Sequence, residues 1–497
     1  MSKTTDKRII FLLLFINTLM FLLNRTGVFA ADKQVQSATL SLKDISELAL
    51  HNNIDIQIAR YDAYIQRTKN MDTQSIFDTV LNAQAGYSDD QSKTASTFSG
   101  TKTVINRYDF GLSKKLSTGT TLGLDIADTR TFNNASSTTL SPAHEAVTKF
   151  SLHQPLGSNF FGMADRAQVK ITKLDVANSD YQALNRIEQS LGRTQTVYWQ
   201  LVLAYNELKI AREMLGKAQQ LYDIFKNKNE AGLIEEAELY AAEANVLNRQ
   251  NTVETLSHNL LLVKNDLLFL IHEEDLSLQI IPQDIFTDND MQVDTISSLK
   301  QAIKTNRDYL QAKNNVQAKG INLSMKQNAM WPEIDLELSY AQNGLELDQD
   351  KAWENVSAED NPEIFMGIAV NMPLENNSAK SRKEKADLEK RSALLVLKKT
   401  EHKLLVDITN SVDAVNNRRE KIRLNKNIVE LQQNKLNFEE KRFASGRSDS
   451  DTLIRYQEDL LNSKLNLTQS LYDYEKVKIG LKLIENTLFD QSRDEKL

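Results

Sequence analysis

Cysteine is missing from this chain of 497 residues, which excludes disulfide staples, thiolate metal sites, a cysteine nucleophile and a thiol for lipid attachment. Proline is scarce, and its placement is informative. Pro142, Pro155, Pro332, Pro362 and Pro373 sit in or beside two extended segments, and only Pro282 lies elsewhere. The stretches between them are free to be long helices. The six histidines include no pair at helical metal spacing, and His272-Glu273-Glu274 lacks the second histidine of a zinc helix. No glycine-rich phosphate loop follows a strand pattern, and no serine has the setting of a nucleophile. The expectation is a protein without enzymatic activity, cofactor or metal. After the N-terminus no apolar run is long enough to span a membrane as a helix. The formal charge is −7, with four basic groups and one acid in residues 1–30, so the remainder is near −10 and is a poor partner for nucleic acid.

What is present begins with a stretch that reads as a secretory signal, the alternative being a single uncleaved membrane anchor. Lys3, Lys7 and Arg8 precede the apolar run Ile9 to Leu23, and Val28-Phe29-Ala30 ends it with small residues where a signal peptidase reads. Beyond it the chain repeats itself. An offset of 253 superposes Ala49 on Ala302, Asn53 on Asn306, Asp55 on Asp308 and Tyr87 on Tyr340; an offset of 214 superposes Gly232 on Gly446, Leu239 on Leu453, Leu247 on Leu461 and Leu267 on Leu481. Units of this length indicate duplication of a structural half and not a solenoid.

Each half opens with period-two alternation. Ile334, Leu336, Leu338 and Tyr340 alternate with polar residues, as do Ile364, Met366, Ile368 and Val370 with smaller ones, so each strand has one apolar face. The polar stretch Gln342 to Asp360 reads as a long exposed loop. In the first half, Val80 to Tyr87 and Thr148 to Gln154 correspond. Between them lies an additional hairpin: Phe110, Leu112 and Leu116, a turn at Ser117-Thr118-Gly119, then Leu122, Leu124 and Ile126. Its arms of about nine or ten residues suit a tilted membrane strand or a half-buried soluble sheet. Trp331 is the best candidate for an interfacial anchor, with core packing the alternative.

Helical periodicity follows each extended segment. Leu184, Ile187, Leu191, Tyr198, Leu201, Tyr205 and Leu208 recur at three-four spacing, and Leu239, Val246, Val253, Leu260 and Leu267 are spaced by seven, as are Leu453, Leu460, Leu467, Tyr474 and Leu481. That spacing indicates coiled-coil packing. The helices are expected to reverse at 229–236 and 443–451, where Gly232 and Gly446 can adopt the positive φ that ends a helix. Hairpins this long, alone, would expose their apolar seams, so lateral association is expected.

Taken together, a signal, duplicated strand and helical-hairpin halves, and glycine-marked tips resemble the TolC-like outer membrane efflux proteins from about Leu42 to Glu485. Ala231-Gly232-Leu233 is similar to the family's Val-Gly-Leu tip, and Ser445-Gly446-Arg447-Ser448 to its second tip. Gln154-Pro155-Leu156 and Met372-Pro373-Leu374 are similar to its passage from strand to helix. The resemblance implies a mainly α fold with membrane β: a homotrimer whose strands form one outer membrane β-barrel and whose helices form a periplasmic tunnel. Its tips would meet a periplasmic adaptor and an inner membrane transporter, and most of each chain would lie in the periplasm. The chain departs from the family in two places. Thr452 and Arg455 occupy positions where the family often carries constricting aspartates, and the hairpin at about 107–130 exceeds the usual two strands per half. Glu235, Glu236, Glu238, Asp449 and Asp451 could form an acidic collar at the entrance, or simply favour helix N-termini through the dipole.

The implied division is a signal peptide at 1–30, a helical segment at 31–76, first barrel strands at 77–155, a helical hairpin at 156–273, an equatorial segment at 274–297, a helical segment at 298–329, second strands at 330–374, a second hairpin at 375–487 and a tail at 488–497. The leading function is the exit duct of a tripartite efflux system for small molecules or metal ions. The alternatives are the duct of a type I protein secretion system and a non-channel exported coiled-coil protein.

Overall fold

The structure is a computed structural model that describes residues 37–93, 98, 100–287, 293–358, 361–445 and 447–489. The signal segment, Gly446 and residues 490–497 of the expected tail lie outside the described residues.

Helices and two sheets make up the described residues, in two related halves. The first half contains strand β1 (Ser37–Leu40), helices α1 (Leu42–Asn52) and α2 (Ile54–Gln74), strands β2 (Thr79–Asp90), β3 (Thr103–Lys115), β4 (Thr121–Asn133) and β5 (Ala143–Pro155), and helices α3 (Met163–Glu230) and α4 (Glu236–Leu270). The second half contains β6 (Gln279–Pro282), α5 (Thr295–Thr305), α6 (Arg307–Asn328), β7 (Glu333–Glu346), α7 (Gln349–Ala358), β8 (Pro362–Asn371), α8 (Asn377–Ala444) and α9 (Ser450–Glu485). Helices α3 and α8 have 68 residues each, about 100 Å at 1.5 Å per residue.

The sequence offsets recur as structure. At 214, α3 maps onto α8 and α4 onto α9; at 253, α1 maps onto α5 and α2 onto α6. The caps repeat too. Asn53 caps α2 through the Ile56 N–H and donates to the Leu270 carbonyl, and Asn306 caps α6 through the Tyr309 N–H and donates to the Ile484 carbonyl. Each asparagine therefore ties the start of one helix to the end of the hairpin of its own half. The two offsets differ by 39 residues, and this excess lies between β2 and β5, where β3 and β4 are found.

The heptad residues pack inward. Leu453, Leu460, Tyr474 and Leu481 are buried, as is Leu267. One core cluster joins Ile45 of α1, Tyr198 and Leu201 of α3, Leu267 of α4 and Ile280 of β6. Burial and a hydrogen bond to Asp284 push the Tyr198 hydroxyl well above its ordinary pKa. A second cluster, near the tips, joins Leu221 and Phe225 to Leu436 and Leu453.

The main sheet has six antiparallel strands in the order β2-β3-β4-β5-β7-β8, and β1 pairs in parallel with β6 in a separate two-stranded sheet. Two expectations are corrected. The arms of the additional hairpin are 13 residues each, because pairing on both sides extends them beyond the apolar core of the pattern. The stretch from Gln342 to Asp360 is not a long loop: β7 continues to Glu346 and α7 follows. Helix α7 is held there by tertiary contact. The indole Nε1 of Trp353 and Nε2 of Gln349 each donate to Asp128 Oδ2 at 2.9 Å, and a Cβ on Gly344 would stand 2.0 Å from the Ala352 carbonyl oxygen, so only glycine admits the helix.

Candidate functional site

The sheet has two chemically different faces, and both follow from pleating. Directly paired residues share a face, so one row across all six strands reads Leu81, Leu112, Leu124, Phe150, Tyr340 and Ile364. A row on the same face contains Leu122, Leu152, Leu338 and Met366. The row on the other side of the first, on the opposite face, reads Asn82, Gly111, Asp125, Lys149, Ala341 and Glu363. The polar face holds a groove of about 1050 Å³ lined by Gln84, Arg107, Asp109, Asp125, Glu145 and Lys149. Arg107 and Asp109 pair there at 2.7 Å.

On the single chain the apolar face is bare: Ile364 and Met366 are 76% and 75% exposed. The face turns polar at Asp128, where α7 covers it. Among the described residues no helix is long and apolar enough to cross a membrane. Trp331, immediately before β7, is 65% exposed, whereas Trp199 packs in the core beside Tyr198.

The expected tip residues fall at the two helical reversals. In the first, Gly232 has φ +68° and donates to the Asn229 carbonyl, and the Leu233 N–H donates to Lys228. Leu233 is exposed, Glu235 is the N-cap of α4 without a side-chain bond, and Glu236 and Glu238 stand in its first turn. In the second, the Arg447 N–H donates to the Arg442 carbonyl and the Arg442 guanidinium donates back to the Arg447 carbonyl. Ser445 caps α8, Ser448 donates to the buried Glu439 carboxylate, Asp451 stands in the first turn of α9, and Asp449 caps that helix through the Thr452 N–H at 2.7 Å. That N–H and the Thr452 hydroxyl hold the Asp449 carboxyl below its ordinary pKa. Side-chain hydrogen bonds thus brace the second tip, while the first is bonded through its backbone and anchored by Ile234, which packs against the cluster near the tips. An edge-to-face contact of Phe225 with Phe443, 5.5 Å between centroids, joins the hairpins just before them.

Sequence reasoning missed two features. Glu188, fully buried, accepts from Arg307, Asn486 and the backbone N–H groups of Leu488 and Phe489, fixing the chain after α9. A lone glutamate on an apolar face was its only signal. Exposed apolar stripes also escaped notice: Ile54, Ile58, Tyr61 and Ile65 on α2, and Leu424, Leu431 and Phe438 on α8. Their spacing was visible, but the sequence does not say which seam is already filled.

Residues 298–485 match the family model of the outer membrane efflux protein. These residues form an outer membrane efflux protein domain. The first half repeats much of the domain's fold. Across nearly the whole chain the fold is that of solved channels: CusC, at TM-score 0.67 and 14% identity over 89% of this chain and 91% of that one; the CmeC outer membrane channel of Campylobacter jejuni, at 0.65 and 16% over 91% and 87%; and the outer membrane protein VceC of Vibrio cholerae, at 0.64 and 15% over 90% and 95%. No curated protein matches the chain. The efflux-protein family is one of channels and not of enzymes.

Proposed function

We propose that the chain is the exit duct of an efflux system: three copies close one outer membrane β-barrel and one helical tunnel, conducting small molecules or metal ions delivered by a periplasmic adaptor and an inner membrane pump. The observation that carries this reading is the two-faced sheet. An apolar face suits lipid, a polar face suits a wet lumen, and the strand edges of β2 and β8 need partners because unpaired backbone is not tolerated in hydrocarbon. The efflux-protein domain and the fold shared with solved outer membrane channels support the same reading. Ala231, Gly232, Leu233, Ser445, Gly446, Arg447 and Ser448 are the residues we assign to adaptor contact, and the acidic residues Glu235, Glu236, Glu238, Asp449 and Asp451 to the entrance.

Planar-bilayer conductance of the detergent-extracted protein tests the reading: discrete long-lived steps are expected, and a protein soluble without detergent that leaves the bilayer silent would overturn it. At the tips, Gly232→Val forces a β-branched side chain into a positive φ. Impaired export with intact oligomers is expected, and loss of oligomers would remove the adaptor assignment.

A further inference from the structure

We infer that the β3–β4 hairpin is part of the barrel wall, so that each copy contributes six strands and three copies close a barrel of eighteen. The inference rests on the duct reading above and fixes the width of the pore. The alternative is a hairpin projecting beyond the membrane, with a wall of two strands per half.

Two observations favour the wall, and strand parity is compatible with it. Pairing is continuous: every residue of β3 is matched on β4, and β2 and β5 complete the ladder on either side. The in–out alternation is also continuous, since Leu112 and Leu124 extend the apolar row from Leu81 to Phe150 while Asp109 and Asp125 fall on the polar face with Lys149. A projection bathed in water on both sides has no reason to keep one face apolar in step with its neighbours. Parity permits the wall as it permits the projection, because an inserted pair keeps the number of strands even. With six alternating strands β2 and β8 run in opposite directions, so β8 of one copy meets β2 of the next antiparallel.

The internal repeat supplies the template for that junction. Strand β5 of the first half pairs with β7 of the second, and β8 and β2 are their counterparts, so the occupant of each free edge is a second copy of this chain. Ile364, Met366 and Ile368 of β8 then continue the apolar face formed by Leu81 and Ala83 of β2. Barrel diameter grows roughly linearly with strand number, so eighteen strands give a duct about half as wide again as twelve, in the range where porins hold an aqueous channel.

Because the chain has no cysteine, single cysteines can carry spin labels without background. Labels at Leu112, Leu124, Asp109 and Asp125 are compared with labels at Leu152 and Leu338 in oligomers in lipid vesicles, using oxygen and a water-soluble nickel chelate as relaxing agents. The expected result is that Leu112 and Leu124 favour oxygen to the same extent as Leu152 and Leu338, with the preference reversed at Asp109 and Asp125. If Leu112 and Leu124 favour nickel while Leu152 and Leu338 favour oxygen, the hairpin stands outside the membrane and the eighteen-stranded wall is wrong, with the duct intact. If all four leucines favour nickel, the barrel reading falls with it.

Discussion

Two surfaces related by the internal repeat differ in chemistry. Where α6 lies on α3 the contact is polar: Gln311 with Gln182, Asn314 with Asn178, Asp308 with Asn185 and Arg307 with Glu188. The repeat carries these pairs to Ile58 with Val396, Tyr61 with Ser392, Asp55 with Lys399 and Ile54 with His402. On the single chain Ile58 and Val396 are 52% and 48% exposed. The same geometry thus serves as a polar seam within one chain and, on our reading, as a more apolar seam between α2 of one copy and α8 of the next. A contact made once during folding can rely on hydrogen-bonded pairs fixed by the rest of the chain. Association must offset the lost freedom of whole molecules, and apolar area does that more reliably than polar pairs.

The comparison is broken most severely by charge on the bare surface. Ile58→Asp together with Val396→Asp places two carboxylates in the proposed seam at a cost of several kcal/mol; sedimentation in detergent should report loss of oligomers with helical circular dichroism unchanged. Next is the polar seam itself. Glu188→Ala leaves the buried Arg307 uncompensated, and a loss of about 3–5 kcal/mol is expected for breaking one side of a buried pair, read as a fall in the denaturant midpoint. Asn53→Ala and Asn306→Ala sharpen the equivalence of the halves. Each should cost about 1–2 kcal/mol, and the two losses should be similar if the repeat is energetic as well as geometric.

The smallest effect is expected at the second tip. Asp449 has a depressed pKa, so its contribution is full above the ordinary value of 3.8 and fades as pH falls through the lower folded value. Protection factors of the amides in the first turn of α9, taken relative to intrinsic exchange at each pH, should therefore fall on acidification. Asp449→Asn keeps the cap and should abolish this pH dependence.

Much of the fold was legible because it depends on local patterns. Heptads at Leu239 to Leu267 and at Leu453 to Leu481 identify hairpins, the alternation around Leu338 identifies strands, and the Asn53–Asn306 match foretells paired caps. Helix α7 was not legible: its ten residues read as loop because what holds them is Asp128, more than 200 positions away. Glu188 was hidden for the same reason, since its partners come from α6 and from the chain after α9.

By itself the sequence determined the duplication, the long helices, the reversals and the absence of cysteine chemistry, all of which follow from residue type and short-range spacing. Tertiary structure alone decided which seams are filled within the chain and which stay bare, and that β3 and β4 pair continuously with both neighbours. Those outcomes depend on contacts between residues far apart in the chain, and periodicity, which is identical on a buried stripe and an exposed one, carries no information about them.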